Sequence, residues 1–323
     1  MTTAKLARTE EEERAAANWE TVRSIHLHDM SPEEAVRAAS NVESRCHFYK
    51  GVWWEEVKPF FYTPAAPALA IEKGQSTPNP LLALGGYRHL LPREEGANGW
   101  VVANEIPDLR SYRLEDLRSM VRHNIRRGLR RLRIAKVTNL EHLLNDGYDI
   151  YKGWLDGRDV RTKRSSREVY TRWISRVHVH PYQLILGAYD SDRLVSFIIG
   201  ESIMGTANIA MAFTHPDYYR LTPNTPLVFA FVTICQQNPA IRKSRHGLRG
   251  FGEELTQFKE NLGYRQVAYP AYISIRSAIR PLARWFFPSQ YRRLMGEHTE
   301  TGVNSEFSRV QEVSEDANAN GSI

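Results

Sequence analysis

Apolar residues recur at helical spacing at Leu114, Leu117, Val121, Ile125, Leu129 and Leu132, which predicts a helix over 114–132 with one buried stripe. Two capping boxes follow. Thr138-Asn139-Leu140-Glu141 opens a helix with Leu140, Leu143, Leu144, Tyr148 and Tyr151 on one side. Ser165-Ser166-Arg167-Glu168 opens another with Val169, Tyr170, Trp173, Ile174 and Val177 inward, and His180-Pro181 stops it. The period then changes. Segments 182–189, 193–202 and 206–213 are short, mainly apolar runs joined through Asp190-Ser191-Asp192 and Met204-Gly205, connections so short that the strands must be antiparallel neighbours. Leu227–Cys235 is apolar on every side, the signature of a buried helix, and Asn224-Thr225-Pro226 caps it. Beyond it the pattern predicts a short strand over Gly247–Phe251. A helix is expected over Glu253–Leu262, with Leu255, Phe258 and Leu262 inward and Gly263 ending it. Tyr264–Ile275 reads as a strand whose Pro270 suits an edge or a bulge, and Arg276–Phe287 as a last helix.

Upstream of this body the texture differs. Residues 1–46 are rich in Ala, Glu and Arg and form a helical segment, with Ser31-Pro32-Glu33-Glu34 as a capped helix start. Residues 47–113 are short aromatic and aliphatic runs broken by Pro and Gly, such as Phe60-Phe61-Tyr62, Leu69-Ala70-Ile71 and Trp100-Val101-Val102, which read as strands and loops. The divisions expected are therefore 1–46, 47–113, an Arg-rich helix over 114–133, a core over 134–290 and a disordered acidic tail over 296–323.

Composition narrows the class. Two cysteines, Cys46 and Cys235, are too few for a disulfide framework or a structural zinc site. The N-terminus carries the acidic run Glu10–Glu13 in place of a signal peptide's apolar core, and the longest apolar run is too short to span a bilayer, so a cytoplasmic protein is expected. The net charge is +6, yet from Glu297 onward there are six acidic residues and one basic, so the preceding body carries +11. Such a body attracts anions, the phosphates of a coenzyme, a nucleotide or an RNA among them.

From Ile134 to Ile275 the order is strand, two helices, three antiparallel strands, helix, strand, helix, strand. With Thr214-His215-Pro216-Asp217-Tyr218-Tyr219, Pro223-Asn224 and Leu255-Thr256-Gln257-Phe258-Lys259-Glu260-Asn261-Leu262-Gly263-Tyr264, this order resembles the GNAT superfamily of acyltransferases, and within it the FemAB-like and BioF2-like domains. The resemblance implies an α/β fold with a mixed, mostly antiparallel sheet flanked by helices, and allows 47–113 to be a degenerate first copy of it. It implies an N-acyltransferase that moves an acyl group from an acyl-CoA thioester to a small-molecule or peptide amine. Its FemAB-like branch implies instead an aminoacyl-tRNA donor, with tRNA as partner. A non-catalytic nucleotide- or RNA-binding protein on a transferase scaffold is a third reading. One departure bears on the donor: Thr214–Pro226, where acyl-CoA-using members carry a Gly-rich pyrophosphate cradle, contains no glycine and two prolines that lack N–H groups.

Lys259 is the sharpest candidate for chemistry. By the resemblance it falls four residues before Gly263, where many GNAT enzymes place a tyrosine, and a cation there would stabilise an oxyanion. The apolar pattern puts it on the flank of the buried stripe, where a solvated lysine is the plain alternative. Glu201, His215, Glu253 and Glu254 are candidates for the base that takes the amine's proton. Phe213, Thr214, Asn224 and Thr225 are the expected donor-binding residues, at the strand edge and the following helix start. Arg122, Arg126 and Arg130 lie on one helical stripe with no acid between 118 and 136, an arrangement suited to phosphate or to acidic partners elsewhere in the fold. Tyr218 and Tyr219 are candidate acceptor-site walls. No metal site is expected: His178-Val179-His180 and His26-Leu27-His28 lack a clear third ligand.

Overall fold

Segments 184–214 form three successive antiparallel strands, and the rest of the protein is organised around them. The computed structural model describes residues 2–41, 45–156, 166–248, 253–277, 279–286 and 291. The chain begins with α1 (Thr2–Ser24), β1 (Asp29–Met30) and α2 (Pro32–Asn41), then β2 (Cys46–Tyr49), β3 (Val52–Lys58), β4 (Phe61–Pro64), β5 (Gly86–Leu90) and β6 (Gly99–Ile106). A 3-10 turn at Leu114–Asp116 leads into α3 (Ser119–Arg131) and β7 (Arg133–Lys136), followed by α4 (Leu140–Leu144), α5 (Asp146–Asp156) and α6 (Arg167–His178). The core continues with β8 (Leu184–Asp190), β9 (Arg193–Ile203), β10 (Thr206–Thr214) and α7 (Asn224–Gln236). It closes with β11 (Lys243–Leu248), α8 (Glu253–Asn261), β12 (Arg265–Ser274) and α9 (Arg280–Phe286).

The described strands make one mixed, mostly antiparallel sheet in the order β2-β3-β4-β5-β12-β6-β11-β10-β9-β8-β7, with β1 added beside β9. Met204 and Gly205 both take positive φ in the turn between β9 and β10, the geometry a two-residue hairpin needs. The parallel pair β10–β11 requires a crossover, and α7 supplies it. That helix is buried around its circumference, as its unbroken apolar run predicts. It packs closely on the sheet because Gly200 leaves room for Phe231 and on α3 because Gly128 leaves room for Pro226.

Alternation assigns the layers. Val195, Ile198, Ala207 and Ile209 join α1, α3 and α7 in a core on one face, whereas Phe197, Ile199 and Phe213 join α4, α5 and α6 on the other. We call these the α7 face and the α5 face.

Several expectations are corrected. Pro270 lies in a central strand: β12 sits between β5 and β6, and the ladder with β5 ends at Ala271, one residue short of the proline. The helix expected over 114–132 is interrupted, because Leu117 is extended between the 3-10 turn and α3. Asn145 divides the helix expected from Leu140 into α4 and α5. In α8, Leu255 is 40% exposed while Lys259 is 4% exposed, so the helix is rotated from the expected orientation, and its buried side carries Lys259 together with Leu262. Residues 249–252 of the expected strand, and the tail 296–323, lie outside the described residues. No described helix is long and apolar enough to cross a membrane.

Candidate functional site

The parallel ladder between β10 and β11 runs only over Thr206–Asn208 and Lys243–Arg245. Past Asn208, β10 keeps β9 on one side, with a bulge between Ile209 and Met211, and has no strand partner on the other among the described residues. A strand edge of this kind offers unpaired N–H and C=O groups in a row. The opening is flanked on both faces of the sheet by polar side chains that an apolar core would exclude.

On the α7 face lies a group of buried polar residues. His246 of β11 meets the rings of Tyr264 and Phe258 at 5.5 and 6.3 Å, and Lys259 comes to the same place from α8, its Nζ 3.9 Å from where a Cβ on Gly247 would stand. Burial and then the Lys259 cation hold the His246 ring's pKa down to about 3, so the ring is neutral, and its Nδ1 has no hydrogen-bond partner among the described residues. Asn104 is on the same face of β6, 1% exposed, with neither its amide nitrogen nor its oxygen partnered among the described residues. Buried polar atoms are normally satisfied, and orphaned ones mark a place where something else binds.

On the α5 face a polar rung crosses the middle of the sheet. Glu201, Asn208, Arg245, Glu105 and Arg265 stand opposite one another on β9, β10, β11, β6 and β12. Glu105 is 1% exposed and accepts from Arg245 Nε at 2.6 Å and from the Tyr269 hydroxyl at 2.6 Å, with Lys243 Nζ at 3.6 Å. The sheet coils enough for Tyr269, opposite Val101, to reach Glu105 four residues along. Burial raises the Glu201 carboxyl above its ordinary range; a hydrogen bond from Gln183 opposes this and the Glu55 carboxylate adds to it.

Of the three catalytic candidates, Lys259 and Glu201 flank the opening from opposite faces, and His215 does not join them. His215 follows Thr214, seven residues from Asn208 along the chain and thus roughly 20 Å from Glu201's level. Its Nδ1 accepts from the Asp217 N–H, capping the 3-10 turn over Pro216–Leu221. Thr214 and Asn224 are brought together by Ser196, whose hydroxyl lies 3.0 Å from each side chain. Thr225 is buried beside them in α7, while the Phe213 side chain belongs to the α5-face core.

The start of α7 carries little spare donor capacity. The Thr225 N–H bonds to Thr222 O, the Leu227 N–H to Pro223 O, and Pro226 has none. On α3, Arg122 donates to the carbonyls of Glu115 and Leu117, and Arg127 to that of Arg220, whereas Arg126 and Arg130 are exposed and have no ion pair among the described residues. Glu254 is exposed at the start of α8, and Tyr218 bonds to Asp190. Sequence reasoning missed Asn104, Glu105, Arg245, His246 and Tyr269. The available signal was Asn104-Glu105 inside the otherwise apolar run Trp100–Ile106. No group of three His, Cys, Asp or Glu side chains among the described residues could hold a metal ion.

No protein-family model and no curated protein matches the chain. Solved structures share its fold. The C-terminal domain of a protein described as a lysylphosphatidylglycerol synthetase from Agrobacterium fabrum superposes with a TM-score of 0.53 at 14% identity, covering 91% of this chain and 99% of that one. L-PGS from Bacillus licheniformis gives 0.51 at 13% identity, covering 84% and 99%, and FemX gives 0.51 at 8% identity, covering 85% and 98%. At such identities the likeness is one of fold, a mixed, mostly antiparallel sheet flanked by helices.

Proposed function

We propose that the protein is an acyl-transfer enzyme that moves an aminoacyl group from an RNA ester to an amine. The observation that carries this reading is Lys259, a cation buried beside orphaned polar atoms at the opening between β10 and β11. In the proposed step the amine nitrogen attacks the ester carbonyl, forming the C–N bond, and Glu201 takes the proton that the nitrogen loses. Lys259 stabilises the oxyanion of the tetrahedral intermediate. The C–O bond then breaks, and the ribose oxygen leaves with the proton returned by Glu201. The raised Glu201 pKa suits this exchange, because a base works best when its pKa lies near the working pH.

Two features favour an RNA donor over acyl-CoA: a helix start at α7 with few spare N–H groups for a pyrophosphate, and the exposed Arg126 and Arg130. FemX, among the structures sharing the fold, is in keeping with the FemAB-like resemblance, whose implied donor is an aminoacyl-tRNA. An acyl-CoA donor is the second reading, favoured by the unpaired edge of β10 beyond Asn208, along which an extended thioester arm could lie. The purified chain is offered radiolabelled aminoacyl-tRNA and acetyl-CoA in parallel, with a mixture of amines. Label moving from tRNA into an amide is the expected result. Turnover of acetyl-CoA with intact aminoacyl-tRNA would overturn the RNA donor.

A further inference from the structure

The polar rung on the α5 face has a charge order along it. At one end stand the Glu201 carboxyl and, close enough to raise its pKa, Glu55. Two strands away, about 10 Å at the backbone, are Arg245 and Lys243. These two cations share the single carboxylate of Glu105, so this group of three carries one positive charge beyond its own pairing. Arg245 is 8% exposed, and its guanidinium lies 4.6 Å over the Tyr269 ring. Its Nε donates to Glu105, and a further side-chain hydrogen bond joins Arg245 to Tyr269. The hydroxyl of Thr206, in register with Lys243, is buried and has no hydrogen-bond partner among the described residues. A guanidinium fixed through Nε by a buried carboxylate and stacked on a ring presents its remaining donors in a rigid fork, a geometry that matches a carboxylate or phosphate.

The geometry points to an acceptor subsite for a zwitterion: the amine that receives the acyl group also carries a carboxylate or a phosphate, held by Arg245 and Lys243 while its nitrogen faces Glu201. This rests on the acyl-transfer reading for the identity of the bound molecule as acceptor, but its binding claim can be tested without any donor. Glu105 and Tyr269 are positioning residues, which hold Arg245 and do not touch the ligand. A buried ion pair gives little net stability by itself, so a bound anion supplies a reason for retaining two cations and a carboxylate in the middle of a sheet.

The test is titration calorimetry on the full chain with phosphoethanolamine and 4-aminobutyrate, against ethanolamine and butylamine, which keep the amine and lack the anion. At least one zwitterion should bind tenfold or more tightly than its neutral-tailed counterpart, and the better of the two identifies the anion as phosphate or carboxylate. Lys243→Met should weaken that binding roughly 10-fold, as expected for a lost hydrogen bond to a charged group, with thermal stability unchanged. Removing Arg245 alone would strand Glu105, so the charge-neutral pair Glu105→Gln/Arg245→Gln is used, and it should abolish binding in a folded protein. Equal binding of the anion-free amines, no binding of either zwitterion, or unchanged binding in folded Lys243→Met would each overturn the subsite and leave a structural ion pair. Loss of binding in Arg126→Ala/Arg130→Ala would overturn it too, by moving the anion to α3. A chain that binds the zwitterion and transfers no acyl group from any donor would refute the transfer reading alone.

Discussion

Lys259 is a cation held at 4% exposure, and His246 and Asn104 on the same face keep atoms without a hydrogen-bond partner among the described residues. Charge held in a water-poor place matters most to whatever gains opposite charge there, so its effect should appear in kcat more than in KM. Lys259→Met keeps the stem and should lower kcat by about 10²–10³ while leaving the fold intact. Near wild-type turnover would make Lys259 a structural lysine. Lys259→Arg should restore little, because the planar guanidinium is larger and spreads its charge. Glu201→Gln tests the other face: the rate should rise with pH through a limb set above the ordinary carboxylate range, and the variant should lose both that limb and most of its rate. An unchanged pH profile would remove Glu201 from the reaction. His246 gives a stability prediction of definite sign. Its pKa of about 3 lies below the usual value near 6.5, so the unfolded ring takes up a proton first as the pH falls. The stability it contributes is therefore complete above about pH 6.5 and is lost as the pH falls toward 3. His246→Phe should flatten the melting temperature between these limits, and parallel curves for the two proteins would contradict the buried, neutral ring.

At the scale of elements, one side chain of α1 serves two other elements at once. Asn18 donates to the carbonyls of Leu129 and Leu132 at 2.6 and 2.8 Å and accepts from the Ile134 N–H at 2.7 Å, serving the end of α3 and the start of β7 together. Asn18→Ala should cost about 2–4 kcal/mol in chemical denaturation, since buried groups are left unpaired. A loss below half a kcal/mol would mean that water replaces the amide. Elements with local causes were legible in the sequence. The three-strand meander follows from short apolar runs and a Met204-Gly205 turn, α7 from an unbroken apolar run, and α6 from the Ser166 cap. Elements placed by distant partners were not. Nothing local in 99–106 says that β6 lies between β11 and β12, and Pro270 suggests an edge only while the strand beside it is unknown. The orientation of α8 was misread for a related reason. A nine-residue helix with few apolar positions leaves its rotation undetermined, and a buried lysine counts as polar in any hydropathy pattern. Lys259 was therefore found by motif, while Arg245 and His246 precede the strand expected over 247–251 and Asn104 lies inside an apolar run.

The charge of the whole molecule bears on what brings a donor to the site. The acidic stretch from Glu297 leaves a body of +11, and within it α3 concentrates cations with no acid in its sequence. Not all of them are available. Arg122 is engaged by the carbonyls of Glu115 and Leu117 and Arg127 by that of Arg220, so substituting either mixes folding with binding. Arg126 and Arg130, four residues apart and both exposed, can contact a polyanion without leaving a broken contact behind. Like charges at this spacing cost the helix roughly 0.2–0.5 kcal/mol, so Arg126→Ala/Arg130→Ala should leave the melting temperature unchanged or slightly raised. If the donor is an RNA, the same variant should weaken tRNA binding at low salt. It should also reduce the slope of log affinity against log salt by roughly 1.5–2, because two phosphate contacts and their released counterions are lost. Binding to a single small anion could not give a slope change of that size. An unchanged slope with a folded variant would assign Arg126 and Arg130 to general solvation, and the RNA donor would then rest on Lys259 and the start of α7 alone.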